Sequence, residues 1–120
     1  MTESTASGRS ITDYLRDSAA VLQQAIERID PAAVEAAAAA IVTALKAGRP
    51  LLVCGNGGSA SDAMHIAGEL VGRYLRERPA LKVICLADSP AVLTAWANDY
   101  DYDSVFARQV EAYGEPGGVL

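Results

Sequence analysis

The chain has 120 residues, 51% of them hydrophobic, which suffices for one small domain or part of a larger one. Ten basic against fifteen acidic side chains leave a formal net charge of −5. That balance argues against a nucleic-acid partner, because binding the phosphate backbone needs a clustered basic surface.

No apolar run reaches the roughly 20 residues of a membrane-spanning helix. The N-terminal stretch from Met1 to Gly8 lacks the basic-then-apolar pattern of a secretion signal. Neither a membrane nor a nucleic acid is expected as a partner, and the expected location is cytoplasmic. The two cysteines, Cys54 and Cys85, each close a strand-like run. They suit a reducing compartment and read as buried thiols, since there is no second histidine to activate either as a nucleophile.

Residues up to about Ser10 read as a loose polar tail. From Ile11, apolar residues recur at Tyr14, Leu15, Leu22, Ala25, Ile26 and Ile29, a helical stripe. Asp30-Pro31 reads as a cap followed by proline in the first turn of a second helix. Its face is Val34, Ala37, Ala38, Ile41 and Leu45, and its stop is Lys46, Gly48 and Pro50. Two amphipathic helices ahead of the first strand need something to cover, either the sheet or a neighbouring subunit.

The run from Pro50 to Cys54 shows no polar alternation, as expected of a central parallel strand buried on both faces. A glycine turn then opens a helix expected over Ser59 to Arg78. Its apolar face is Ala63, Ala67, Leu70, Val71 and Tyr74, and its polar face carries Asp62, His65, Glu69, Arg73 and Arg76. Pro79 ends it. Leu81 to Leu86 is a second strand, and Ser89-Pro90 opens a short helix expected to run through Ala97. Asn98 to Asp103 is then a polar, aromatic-laced loop. A helix follows over Ser104 to Tyr113, stopped by Gly114 and Pro116, and Gly117 to Leu120 reads as the start of a third strand. This order implies a parallel sheet with right-handed crossovers in a layered α/β fold. Two strands and a stub leave sheet edges open, so the chain reads as the N-terminal portion of something longer.

The chemistry concentrates at the first strand-to-helix turn, Gly55-Asn56-Gly57-Gly58-Ser59-Ala60. Glycines allow close backbone approach, and the free N–H groups of a first helical turn point at anionic groups. The stretch satisfies the dinucleotide pattern G-x-G-x-x-G/A but lacks the lysine of a P-loop. The nearest acidic residue after the next strand, Asp88, lies more than thirty positions past Gly55 rather than about twenty. On the helix, His65 and Glu69 share a face. They read as a solvated ion pair, as two ligands of one metal ion, or as a site in which Glu69 is a general base tuned by burial. Asn98 and Asp99 follow the second strand. Loops at the carboxyl ends of neighbouring parallel strands line one crevice, so this pair and the glycine turn are expected to face one pocket. Arg73 reads as a surface salt-bridging residue and Trp96 as core.

Taken together, Cys54-Gly55-Asn56-Gly57-Gly58-Ser59, Asp62-Ala63-Met64-His65, Glu69-Leu70, Gly72-Arg73-Tyr74, Arg78-Pro79 and Asn98-Asp99-Tyr100 resemble the phosphoheptose isomerase family of sugar isomerase (SIS) domain enzymes. The resemblance covers nearly all of the chain from the second helix onward. It implies a three-layer α/β/α sandwich with a parallel sheet in flavodoxin-like order, preceded by an N-terminal helical segment. The expected division is residues 1–34 for that segment and 35–120 for the first part of the SIS domain. The implied activity interconverts sedoheptulose 7-phosphate and D-glycero-D-manno-heptose 7-phosphate through an enediol.

Carried over residue by residue, the resemblance makes Asn56, Gly57 and Gly58 a substrate-contacting loop. His65 and Glu69 become zinc ligands, with Glu69 also touching substrate and acting as the base, and Asn98 and Asp99 become a second substrate-contacting pair. It also implies a homotetramer with interfacial sites, which would occupy the two N-terminal helices. The family's serine/threonine-rich phosphate loop and its late glutamine and histidine lie beyond Leu120, so the 120 residues alone are expected to be inactive and poorly folded. A non-catalytic SIS-domain protein that binds the replication initiator or senses a phosphosugar is the competing reading. Retention of both His65 and Glu69 favours the enzyme.

Overall fold

A computed structural model of the chain describes residues 8–120; the expected polar tail falls largely on residues 1–7, outside the described residues. The chain divides into two compact units, one through Glu35 and one over Ala36–Leu120. The first contains helix α1 (Ile11–Arg28) and the start of α2 (Pro31–Lys46). Ser10, expected in the tail, instead caps α1: its hydroxyl accepts from the Asp13 backbone N–H while the Asp13 carboxylate accepts from the Ser10 backbone N–H. This reciprocal pair satisfies two donors that a helix start leaves open. Asp30 caps α2 as expected, its Oδ1 accepting from Ala32 N–H at 3.0 Å. No residue of α1 is buried. Leu22, Ala25, Ile26, Ile29 and Val34 line an open apolar groove at the turn between the helices.

In the second unit, β1 (Leu51–Val53) and β2 (Val83–Cys85) pair in parallel, with Leu51, Leu52 and Val53 opposite Val83, Ile84 and Cys85. The expected third strand begins on the other side of β1. Val119 bridges Leu51 in parallel, its carbonyl accepting from Leu52 N–H at 2.8 Å. β1 is therefore central, which explains a run of apolar residues with no polar face.

Helix α3 (Gly58–Val71) crosses from β1 to β2 and lays Ala63 and Ala67 onto both strands. Two alanines on that face let the helix axis approach the sheet closely. Helices α4 (Pro90–Asp99) and α5 (Val105–Tyr113) follow β2. Val105 and Leu86 are fully buried between them and the strand. Gln109 is buried too, and its amide donates to the Leu86 carbonyl at 2.9 Å and the Val105 carbonyl at 3.1 Å. No pattern in the sequence marks this polar peg, and the two contacts give the buried amide the partners it needs.

Three expectations are corrected. The third helix ends at Val71, not Arg78, because the chain turns at Gly72 and the Arg78 guanidinium takes over its end. That group donates to the Glu69 carbonyl at 2.9 Å, one of those the last helical turn leaves open, and to the Gly72 and Pro79 carbonyls. Arg73, Tyr74 and Arg76 therefore lie outside the helix, and Tyr74 is exposed. α4 extends two residues further than expected, so Asn98 and Asp99 form its last turn and not a loop. Cys54 is exposed, because the chain leaves the sheet one residue earlier; Cys85 is buried as expected. Arg73 does form its expected surface pair, at 2.7 Å from Glu77.

The amino ends of the strands are tied by one carboxylate. Glu115 accepts from Arg49, just before β1, at 3.0 Å, and from Lys82, just before β2. The Lys82 hydrogen bond, followed by that from Arg49, holds the Glu115 carboxyl below the usual glutamate range. A lowered carboxyl contributes stability above its unfolded pKa and loses it as pH falls through the folded one. Glu115→Gln is therefore expected to lower the Tm at neutral pH, with the difference from wild type closing as the medium is acidified below that folded value. A difference unchanged at acid pH would exclude the charge as its source.

Backbone approach at the glycine turn gives a second prediction. A Cβ on Gly55 would lie 2.7 Å from the Ser59 backbone carbon and oxygen, whereas one on Gly58 would meet nothing within 4 Å. Gly55→Ala is expected to cost about 1–3 kcal/mol of unfolding free energy, the usual range for overpacking. Gly58→Ala, measured in the same urea titration, is expected to be neutral or slightly stabilising.

Candidate functional site

The site is built on the turn between β1 and α3. Gly57 caps the helix with a positive φ of 55°, a conformation that side chains other than glycine rarely adopt. Asn56 and Gly57 carbonyls accept from Ser59 and Ala60 N–H at 3.0 and 3.1 Å, which closes the first turn. The N–H groups at the very start of α3 have no intrahelical acceptor and, with the helix dipole, favour an anionic or oxygen-rich ligand. Asn56, Gly57 and Gly58 are all exposed at the carboxyl end of β1.

One to two helical turns on, His65 Nε2 and Glu69 Oε1 lie 3.3 Å apart, with side chains 76% and 40% exposed. They share an open groove with Asp62, Ile66, Leu70 and Tyr74. The burial expected of a base at Glu69 is not supplied by this chain's own residues. The pair converges as two ligands of one metal ion would, yet among the described residues no third His, Cys, Asp or Glu joins it. Catalytic zinc is normally held by three protein ligands. The donors present here therefore do not by themselves make a zinc site.

Asn98 and Asp99 stand together on the last turn of α4, the Asn98 amide donating to the Asp99 carboxylate at 3.2 Å. Both are exposed. Among the described residues no hydrogen bond or ion pair joins them to the glycine turn or to His65 and Glu69. What reaches the glycine turn is Tyr102, whose hydroxyl donates to Asn56 Oδ1 at 2.6 Å. The loop after α4 and the turn after β1 thus meet at the carboxyl ends of neighbouring strands, as the parallel topology requires.

Tyr102 was not singled out by sequence, and no local signal marks it, because its partner is 46 residues away. Its supporting turn did carry a signal. Asp101 three residues before Ser104 is the spacing of a side-chain-closed turn. Asp101 Oδ1 accepts from the Ser104 N–H and hydroxyl at 2.8 and 2.7 Å, and the Ser104 Oγ accepts from Trp96 Nε1 at 2.8 Å. Trp96 is half-buried, stacked on Tyr100 at 4.2 Å between ring centroids, with the Arg108 guanidinium over its ring, 4.9 Å from the centroid.

The Ser104 hydroxyl, then its N–H, holds the Asp101 carboxyl below the usual aspartate range. Ser104→Ala is expected to let that carboxyl titrate closer to the ordinary value, as followed by carbon-13 NMR of the Asp101 side chain. An unchanged titration would show that Ser104 does not hold it.

The model of the SIS domain family matches residues 13–120. A curated phosphoheptose isomerase of Bradyrhizobium sp. (strain ORS 278) is 51% identical over 111 residues, covering 92% of this chain and 56% of its own length. That of Bradyrhizobium sp. (strain BTAi1) is 61% identical over 83 residues, covering 69% of this chain and 42% of its own length. The chain thus spans about half the length of these curated relatives. A solved phosphoheptose isomerase from Neisseria gonorrhoeae superposes with a TM-score of 0.81 at 35% identity, over 92% of this chain and 56% of that one. Another from Francisella tularensis gives 0.78 at 35% identity, over 89% and 58%.

Proposed function

The chain belongs to the SIS domain family, and from that premise we propose that the protein acts as an aldose–ketose isomerase on sedoheptulose 7-phosphate, forming D-glycero-D-manno-heptose 7-phosphate for heptose and cell-surface carbohydrate synthesis. Residues 35–120 would be the first part of the isomerase domain and residues 1–34 a helical segment ahead of it. The observation that carries the reading is the His65–Glu69 pair, 3.3 Å apart on the helix that the glycine turn opens. A surface helix needs no glycine cradle at its start, and a bare anion cradle needs no histidine and carboxylate above it.

In this reading Asn56, Gly57 and Gly58 donate to sugar or phosphate oxygens, and Asn98 and Asp99 hold sugar hydroxyls. The Glu69 carboxylate takes the proton from C1 of the ketose while the C2 carbonyl oxygen gains one, giving the enediol. Returning the carbon-bound proton to C2 as the O1 hydroxyl loses its own yields the aldose. General-base transfer of this kind needs the carboxylate within hydrogen-bond reach of the carbon-bound proton. His65 and Glu69 would also contribute two ligands to a zinc ion whose remaining donors come from outside this chain. The exposed apolar stripe of α1, with Leu22, Ile26 and Ile29 open, supports burial of the N-terminal helices in a homotetramer. Among the described residues no helix is long and apolar enough to cross a membrane, and a cytoplasmic location is part of this proposal.

In the full-length protein, Glu69→Gln is expected to lower kcat by at least about 100-fold, the low end of general-base contributions. The fold should survive, because the contact that closes α3 uses the Glu69 backbone carbonyl and not its side chain. Turnover near the wild-type rate, with sedoheptulose 7-phosphate as substrate, would remove Glu69 as the base.

A further inference from the structure

Between Gly55 and Gly58 Asn56 is the one residue with a polar side chain, and a carboxamide has two chemically opposite ends. Its Oδ1 accepts and its Nδ2 donates, so which end faces the ligand decides what is recognised. Here the acceptor end is taken: the Tyr102 hydroxyl donates to Asn56 Oδ1 at 2.6 Å. Among the described residues the Nδ2 end has no protein acceptor.

Tyr102 is itself placed by a tied turn. Its carbonyl accepts from Val105 N–H at 3.3 Å, at the start of α5. The next turn residues are closed by Asp101 and Ser104, and Ser104 is held by the Trp96 indole. The chain of contacts runs from a half-buried ring on α4, through the turn, to the amide over the start of α3.

We propose that Tyr102 is a positioning residue that turns the Asn56 carboxamide so that its NH2 group faces the oxygens of the sugar phosphate. This rests on the reading above that Asn56 contacts that substrate. The hydroxyl does not touch the substrate; by donating to Oδ1 it holds the amide in place with the NH2 group left for the substrate's oxygens. It also joins the turn after β1 to the loop after α4, the helix whose last turn carries Asn98 and Asp99.

The test is a double-mutant cycle in the full-length protein with sedoheptulose 7-phosphate: Tyr102→Phe, Asn56→Ala and the pair. Tyr102→Phe keeps a ring that is half exposed and removes only the hydroxyl. It is expected to raise KM roughly 3- to 10-fold, the size of one neutral hydrogen bond, with kcat and Tm unchanged. Asn56→Ala should raise KM at least as much, and the double variant no further than Asn56→Ala alone. Ser104→Ala, which loosens the turn without touching either residue, is the second variant and should raise KM in the same direction.

A wild-type KM in both Tyr102→Phe and Ser104→Ala, with KM raised in Asn56→Ala, overturns the proposal and leaves the substrate reading standing. Additive effects of Tyr102→Phe and Asn56→Ala overturn it as well, since Tyr102 would then act independently of Asn56. A wild-type KM in Asn56→Ala instead overturns the substrate reading of the turn.

Discussion

The approach of the chain to itself at Gly55 is the constraint on which the second unit depends. The strand ends, turns through four residues and begins a helix whose Ser59 backbone stands where a Gly55 side chain would be. That closeness sets where α3 starts and its angle to the sheet, and hence brings Ala63 and Ala67 onto β1 and β2. It also aims the unpaired N–H groups of the first turn past the end of β1. The placement of the helix and the direction of its first N–H groups thus come from one missing Cβ.

The two ends of the sheet are handled in opposite ways. At the amino ends Glu115 ties the segments before β1 and β2 with charge, and the Gly118 N–H donates back to its carbonyl at 2.8 Å. At the carboxyl end of β1 the exposed Asn56 meets Tyr102, whose hydroxyl donates to its Oδ1. A parallel sheet concentrates its helix starts at that end, so polar chemistry there is supported by dipoles and free N–H groups. Closing one end with ion pairs leaves the other free to face a ligand.

Local signals carried most of the architecture. Asp30-Pro31, the Lys46–Gly48–Pro50 stop, the unbroken apolar run of β1 and the glycine turn each have a backbone reason that acts within a few residues. The boundaries that moved were those set by distant partners. α3 stops at Val71 because the Arg78 guanidinium reaches back to the Glu69 carbonyl, a contact invisible to a periodicity that continues through Tyr74. Cys54 resembles Cys85 in sequence context but is exposed, because β1 ends at Val53 whereas β2 runs through Cys85.

What the sequence by itself determined is the βαβ order, the glycine turn and the shared face of His65 and Glu69, because each follows from chain geometry over a turn or two. Only the tertiary structure decided that β1 lies between β2 and Val119, that Gln109 is buried against the Leu86 carbonyl, and that Tyr102 meets Asn56 across 46 residues. These contacts join segments whose separation along the chain carries no periodic signal, so only the folded backbone brings them together.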